Sequence, residues 1–265
     1  IVMLTLSVAL LVWFRRWRWL AGATAVAYLL FFWGWALNYH RESIEEKLAL
    51  NASAVEDNEA EQFREFVASK MNSLWPQTAS SQREIPEISR SAAERVRTVI
   101  SRIDAVDWAA ARQTKTSIIL DPWFRVAGVE GMFNPVGQEP LVLSRLLNFE
   151  RPFVMSHEFA HVRGYPNEGD ANMIAFLATI NSNDPLSQYS GWFHIWLYLR
   201  TPETDALLMD GPRLDVQLYE LRVQSQTIPW ISNFQGTLLH WFLKANSVSG
   251  GIRSYAQFVR LAIAS

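Results

Sequence analysis

The residue pattern most able to do chemistry is His157-Glu158-Phe159-Ala160-His161, an H-E-x-x-H sequence. On a helix, His157 and His161 lie one turn apart on the same face, where both imidazoles can bind one zinc ion. Glu158 then projects beside them and can accept a proton from a zinc-activated water. In a chain with so few histidines, a chance match is expected only about 0.005 times. The pattern therefore predicts a zinc site with a neighbouring general base.

The flanking residues predict that this segment is one short helix followed by a tight turn. Pro152 suits the first turn of a helix, where a missing backbone N–H is tolerated. Gly164 suits the C-terminal cap. Pro166 prevents the helix from continuing.

A catalytic zinc site needs a third protein ligand and a fourth position open to water. The metzincin pattern H-E-x-x-H-x-x-G-x-x-H would place that ligand at Asn167, whose carboxamide is a poor zinc ligand. Glu168 and Asp170 are the alternatives. Glu168 is preferred because Asn167 can cap a helix that begins there and runs to about Ile180.

The sequence from Glu168 to Asn172, E-x-x-A-N, resembles the Glu-x-x-Ala-Asp helix of gluzincins. In that pattern the glutamate is a zinc ligand and the last residue orients a ligand histidine. Glu168 follows His161 by only seven residues, a shorter interval than in thermolysin-like enzymes. The similarity is therefore one of local pattern.

Other candidate site residues lie in the last third of the chain. Zinc peptidases often use a Tyr, His or Arg side chain to stabilise the oxyanion. Tyr255 is the residue named for this role, with Arg253 and His240 as alternatives. His194 lies in an aromatic segment that is predicted to be a buried helix, and it is interpreted as a packing residue.

Two short strands are predicted before the H-E-x-x-H helix, at residues 117–120 and 139–146. In zinc peptidases of the thermolysin kind, an edge strand of a small sheet lines the cleft and pairs with the extended substrate. Residues 139–146 occupy that place in the chain order. An ordinary strand with no role in binding is the alternative.

Composition excludes several classes of protein. The formal net charge is −2, so nothing favours a nucleic-acid partner. The chain has no cysteine, which excludes disulfides and leaves histidine and carboxylate as the zinc ligands. Twelve of the 265 residues are tryptophan, and five of these lie within the first 35. Such clustering is typical of membrane interfaces.

The first 38 residues are predicted to be a transmembrane region. Residues 19–37 form an uncharged stretch long enough to span a bilayer core, and residues 1–14 indicate the end of an earlier helix. Residues 15–18, R-R-W-R, are predicted to be a cytoplasmic basic turn between them. Residues 39–265 are then expected to form an extracytoplasmic domain.

Four stretches carry a wider resemblance: residues 31–41, 131–140, 157–172 and 242–255. They resemble a family of bacterial membrane-anchored proteins, catalogued as a domain of unknown function, with a gluzincin-like zinc-peptidase core. The resemblance implies a peptidase tethered to the bacterial inner membrane, and it places Glu139 near the site.

Together these observations predict an α+β, mainly α, zincin-like metallopeptidase domain with a small β-sheet, preceded by transmembrane helices. His157, His161 and Glu168 would hold Zn²⁺, with Glu158 as general base. The expected partners are the lipid bilayer and peptide or protein substrates near its surface. The alternative is a non-catalytic membrane sensor or scaffold with a structural zinc site, which would show a fourth protein ligand.

Overall fold

The computed structural model describes residues 2–51, 57–78, 83–106, 113–134, 137–245 and 254–264. These residues form a mainly helical protein with one small β-sheet, as the sequence predicts. The helices and strands are α1 (Val2–Gly34), α2 (Ile44–Lys47), α3 (Asp57–Thr78), α4 (Ile85–Asp104), α5 (Asp121–Ala127), β1 (Gly131–Asn134), β2 (Glu139–Val142), α6 (Arg151–Val162), α7 (Glu168–Ile180), α8 (Pro185–Leu199), α9 (Asp210–Gln226), α10 (Pro229–Ala245) and α11 (Ser254–Ala264). Short 3₁₀ helices occur at Ala36–His40 and Thr204–Leu207.

Helix α1 is continuous, so the prediction of two helices joined by a basic turn at residues 15–18 is wrong. Arginine has a high helix propensity, and neither Gly nor Pro interrupts the chain there. The predicted side of the membrane depends on that turn and loses its support. Within the part of the chain that the structure describes, no helix combines the length and apolar character that crossing a bilayer requires.

The core lies around α6, α7 and α8. Helix α6 packs against α4, α7 and α8, and α3 packs along α8. Helix α7 is buried on nearly every face, with Met173, Ile174, Ala175 and Phe176 all at most 1% exposed. Burying a side chain of the size of Phe176 contributes about 1.5–3 kcal/mol. The two helices that carry the candidate metal ligands therefore lie within the described core.

The sheet is an antiparallel hairpin in which Gly131 pairs with Val142 and Asn134 with Glu139. Strand β2 also pairs on its other side with the single residue Lys115. Strand β1 falls in a turn-rich stretch where no strand was expected, because Gly and Asn have low β-propensity. Strand β2 is shorter than the predicted strand at residues 139–146.

The strand predicted at residues 117–120 is wrong, since these residues form a turn that leads into α5. The Ser117 hydroxyl accepts a hydrogen bond from the Leu120 N–H at 3.2 Å, which stabilises the turn locally. Ile118 and Ile119 are 92% and 86% exposed. Their β-propensity is outweighed by the turn and by Pro122, which suits the first turn of α5.

Candidate metal centre

Helices α6 and α7 place the candidate ligands, and the turn between them brings the ligands together. The first helix ends at Val162, and Gly164 adopts a left-handed conformation with φ +78°. Asn167 then caps α7 by accepting a hydrogen bond from the Gly169 N–H at 2.9 Å. The predictions of a proline in the first turn of α6, a turn at Gly164 and a cap at Asn167 are confirmed.

The structure brings His157, His161 and Glu168 together as one group able to hold a metal ion. The two Nε2 atoms lie 3.0 Å apart. Glu168 Oε2 lies 3.2 Å from His157 Nε2 and 3.7 Å from His161 Nε2. Zinc–ligand bonds of about 2.0–2.2 Å in a tetrahedron place neighbouring ligand atoms about 3.3–3.5 Å apart. The three separations therefore fit three corners of a zinc tetrahedron.

Each imidazole is oriented by a hydrogen bond at its other nitrogen. His161 Nδ1 lies 2.7 Å from the Tyr165 carbonyl oxygen, and His157 Nδ1 lies 2.8 Å from Asn172 Oδ1. Because these oxygens accept, both Nδ1 atoms carry protons, and the Nε2 atoms are the ones that face the group and would bind a metal. Asn172 thus holds the histidine-orienting position that the sequence predicts for it.

The electrostatics of the group favour a bound cation. Burial lowers the pKa of His161, but the charge and hydrogen bond of Glu168 outweigh burial and raise that pKa to about 9. Burial raises the pKa of Glu168, yet the adjacent His161 and His157 hold it well below its usual range. Without a metal, the positive charge beside the Glu168 carboxylate is therefore that of protonated His161. A metal ion would take the place of this proton.

Zinc binding is expected to release about one proton from His161 at pH 7. Since the pKa of His161 in the metal-free protein is about 9, zinc displaces a proton at every pH below that value. Zinc affinity should therefore rise by about tenfold per pH unit up to about pH 9. Calorimetry in two buffers of different ionisation enthalpy counts the released proton. A proton count near zero at pH 7 would contradict this electrostatic account.

Glu158 is buried beside the group, against β1. It is 3% exposed, and its Oε2 has no hydrogen-bond partner among the described residues. Burial raises the pKa of Glu158 to about 7, a value suited to a general base near neutral pH. A Cβ atom on Gly131 would lie 2.5 Å from Glu158 Oε1, so only glycine lets the strand approach this carboxylate.

Replacing Gly131 with alanine should displace the Glu158 carboxylate without disturbing the candidate ligands. A shift of about 1 Å in a catalytic group can cost about 10²-fold in rate. We expect Gly131→Ala to lower kcat/KM for hydrolysis by about 10–100-fold and to leave zinc affinity unchanged. Gly22→Ala is the control, because a Cβ added there meets nothing within 4 Å. Full activity of Gly131→Ala would show that Glu158 does not need its present position.

A cavity of about 660 Å³ opens beside the group. The segment after α1 covers one side: Trp35 packs edge-on against His161, with ring centroids 6.1 Å apart. Arg41 anchors this segment by donating hydrogen bonds to the carbonyl oxygens of Arg163 at 3.1 Å and Gly164 at 3.2 Å. The first and third stretches of the family resemblance therefore meet at the site.

Several candidates named from the sequence lie elsewhere. Asp170 accepts a hydrogen bond from the Ile44 N–H at 3.2 Å and is not in the metal group. Glu139 forms an ion pair of 2.6 Å with Lys115 at the far end of the hairpin from Gly131, so its predicted place near the site is wrong. His240, on α10, does not line the cavity.

The oxyanion candidates Tyr255 and Arg253 both lie outside what the structure describes. The Tyr255 side chain and all of Arg253 belong to the undescribed part of the chain. Two other phenols, those of Tyr39 and Tyr198, line the cavity. Burial, followed by the charge of Glu168, raises the pKa of Tyr39 to about 12. Burial also raises the pKa of Tyr198, so both stay protonated and able to donate.

Sequence reasoning missed Gly131, Tyr39 and Tyr198, and it interpreted His194 as packing only. Tyr39 and Gly131 fall within the stretches that carry the family resemblance, which was the only available signal. Tyr198 lies four residues after His194 on α8, so both face the cavity from one helix. Both side chains reach the cavity only because α8 packs against α6, a contact that the sequence does not show.

Comparison with known proteins supports a family assignment. No curated protein and no solved structure matches the chain. One family model covers nearly the whole chain, which confirms the resemblance to a family of unknown function. The peptidase core implied by that resemblance stays a prediction. The matching model, described as Protein of unknown function (DUF3810), extends over residues 3–263, and the chain therefore belongs to this family.

Proposed function

We propose that this protein is a zinc-dependent metallopeptidase held at a membrane. The observation that carries the proposal is the set of separations of 3.0, 3.2 and 3.7 Å among His157 Nε2, His161 Nε2 and Glu168 Oε2. The group contains three ligand side chains among the described residues. Three protein ligands leave a position for water, which favours a catalytic over a structural zinc.

The chain's own residues supply the remaining chemistry. A bound zinc ion would polarise the substrate carbonyl and acidify the attacking water. Glu158, adjacent to the ligands and buried, accepts the proton of that water and passes it to the leaving amine. Tyr39 and Tyr198 replace Tyr255 as the proposed donors to the oxyanion, because both phenols line the cavity.

Strand β1 is the proposed binding edge for the substrate backbone. The Leu143 N–H donates a hydrogen bond to the Glu130 carbonyl oxygen. In an antiparallel pair every second residue bonds to the partner strand, so the backbone N–H and C=O groups of Met132 point to β2. The backbone N–H and C=O groups of Gly131 and Phe133 then point to the other edge, beside the cavity. An extended peptide paired with them would pass directly by Glu158. The strand that lines the cavity is thus β1, not the residues 139–146 that the sequence suggested.

The exposed surface of α1 supports membrane attachment. Trp13, Trp17, Trp19 and Trp33 are each more than half exposed on this helix. Such exposed indole rings are typical of residues at a lipid interface. The helix has 33 residues and extends about 50 Å. The proposed substrates are therefore peptides or proteins near a membrane surface. Their place on the extracytoplasmic side of the bacterial inner membrane stays a hypothesis from the sequence.

Membrane attachment is tested by fractionation of cells that express the chain. We expect it to remain with the membranes after an alkaline carbonate wash, whereas a Leu20→Glu, Leu29→Glu double variant should be released. Protease added outside spheroplasts should digest the domain. Release of the unaltered chain by carbonate, or full protection from protease, would overturn attachment or orientation respectively.

Peptidase activity is tested with purified protein loaded with one equivalent of zinc. It is incubated with a mixed peptide library, and new termini are identified by mass spectrometry. We expect cleavage that stops after chelation and returns when zinc is restored. Stoichiometric zinc without any cleavage would favour the structural-zinc scaffold instead.

A further inference from the structure

A second group of polar side chains lines the cavity beside the metal group. His194 is 5% exposed, and its Nε2 has no hydrogen-bond partner among the described residues. Its Nδ1 lies 2.8 Å from the Ser190 carbonyl oxygen, so Nδ1 carries the proton and Nε2 is an acceptor. Burial lowers the pKa of His194 to about 4, which keeps the ring neutral. A buried acceptor without a donor is costly unless a ligand supplies one.

The position of His194 relates this group to the proposed reaction. Its ring stacks on that of Phe153, with centroids 4.2 Å apart and planes 10° apart. Phe153 precedes His157 by one turn of α6, and residues so spaced are about 5–6 Å apart. The group therefore lies up to about 10 Å from the metal group, farther than one residue of an extended peptide (about 3.3 Å) but within reach of a long substrate side chain.

Carboxylates give this end of the cavity a negative charge. The Arg222 guanidinium forms ion pairs with both Glu130 and Glu150. Glu150 is fully buried, whereas the Glu130 side chain is 27% exposed. Two carboxylates face one guanidinium. Burial and the charge of Glu130 raise the pKa of Glu150 to about 7, so the excess negative charge is partial at neutral pH and grows above it. Glu130 is the carboxylate that a substrate in the cavity can reach.

The neighbouring groups do not cancel this charge. Arg125, which also lines the cavity, forms an ion pair of 3.9 Å with Asp121. Arg200 forms ion pairs with both Asp205 and Glu220. Gln226, one turn after Arg222 on α9, lines the cavity with an Oε1 that has no partner among the described residues. The arginines named here are thus each paired with a carboxylate, whereas the acceptors His194 Nε2 and Gln226 Oε1 have no donor among the described residues.

We propose that Glu130, His194 and Gln226 form a subsite that binds a cationic group of the substrate, an ammonium or guanidinium, next to the cleaved bond. The subsite deepens the peptidase proposal and rests on it for the identity of the substrate. Glu130 supplies the charge, and His194 Nε2 and Gln226 Oε1 accept N–H hydrogen bonds. Strand β1 begins directly after Glu130, so a peptide along its edge leads into this subsite.

The kinetic test compares peptides that differ only in one residue beside the cleaved bond. We expect kcat/KM to be at least about tenfold higher for Lys or Arg than for norleucine. Glu130→Gln should remove that preference by lowering kcat/KM for the Lys and Arg peptides to about the value for the norleucine peptide. Equal rates for Lys and norleucine, or a preference for Glu, would overturn the subsite. Lysine peptides with free and with acetylated amino termini distinguish a side-chain ammonium from a terminal one.

A binding test separates failure of the subsite from failure of the peptidase proposal. Zinc-loaded Glu158→Gln protein is titrated with n-butylguanidine, n-butylamine and n-butanol by calorimetry. The two cations should bind at least about tenfold more tightly than the alcohol, even if no peptide is ever cleaved. Equal affinities would reject the subsite whatever the peptidase result.

The Glu130 carboxylate pairs with Arg222, so Glu130→Gln can also disturb folding. A second variant therefore tests the subsite without changing this ion pair. His194→Phe keeps an aromatic ring against Phe153 but removes the orphan acceptor. It should weaken binding of n-butylguanidine by about tenfold while the affinity for n-butanol is unchanged. If the variant folds and binds the guanidine as tightly as before, His194 has no part in recognition.

Discussion

Replacing Glu158 with glutamine should abolish most peptide hydrolysis while zinc stays bound. A positioned general base typically contributes about 10²–10⁴-fold to a rate. We expect kcat/KM to fall within that range, because glutamine keeps the size of the side chain but cannot accept the proton. Glu158 is not among the three side chains of the metal group, so zinc content should stay at one per chain. Mass-spectrometric rates and elemental analysis on the same preparation measure both quantities.

Glu139→Gln is the matched control for this variant. The same chemical change is made at the end of the hairpin, where Glu139 pairs with the exposed Lys115. Activity should be unchanged, which would also confirm that the family resemblance misplaces this residue. Retained hydrolysis in Glu158→Gln would refute the proposed mechanism.

Replacing Glu168 with alanine should weaken zinc binding by more than about 100-fold. Loss of a residue that merely orients a ligand costs about 10–100-fold in affinity, and Glu168 supplies a ligand atom itself. Two imidazoles would remain, too few for a stable site in a chain without cysteine. Competition with a chromophoric chelator at fixed pH measures the affinity.

Asp170→Asn is the control for Glu168→Ala, since the sequence alone leaves both acids open as ligands. Asp170 accepts from the Ile44 N–H, and burial raises its pKa to about 6. An amide oxygen can accept the same hydrogen bond, so zinc affinity should change by less than about threefold. Loss of zinc in Asp170→Asn with retention in Glu168→Ala would reverse the ligand assignment.

The metal group could be predicted from the sequence because its signals are local. The histidines are four residues apart on one helix, and Gly164, Pro166 and Asn167 specify the turn and the next helix by their own backbone chemistry. Each of these features depends on residues within one turn of the chain. These local signals therefore favour Glu168 as the residue beside the histidines.

The walls of the cavity could not be predicted because they depend on packing between distant segments. Gly131 is needed only because β1 lies against α6, and no local pattern records that contact. Trp35 and Tyr39 reach the site because Arg41 binds the carbonyl groups at the end of α6. The sequence predicts a packing role for His194, and its stacking on Phe153 agrees with that role. Its Nε2 has no partner among the described residues, which indicates a further role.

The strand predicted at residues 117–120 is wrong for a related reason. Hydrophobic β-branched residues at 118 and 119 favoured a strand, but the Ser117 side chain and Pro122 direct the chain into a turn and helix. The arginines at residues 15–18 suggest a break between two apolar helices. Arginine also has a high helix propensity, and the helix continues through them. In both segments the apolar composition is as described, but the backbone conformation follows from local turn and helix preferences that composition does not show.

The most direct test of the central claim is a crystal structure of the zinc-loaded protein with diffraction data collected at the zinc absorption edge. The proposal predicts one anomalous peak within about 2.0–2.2 Å of His157 Nε2, His161 Nε2 and a Glu168 oxygen, with a water as the fourth ligand facing the cavity. A peak elsewhere, or a fourth ligand supplied by the protein, would contradict a catalytic zinc centre.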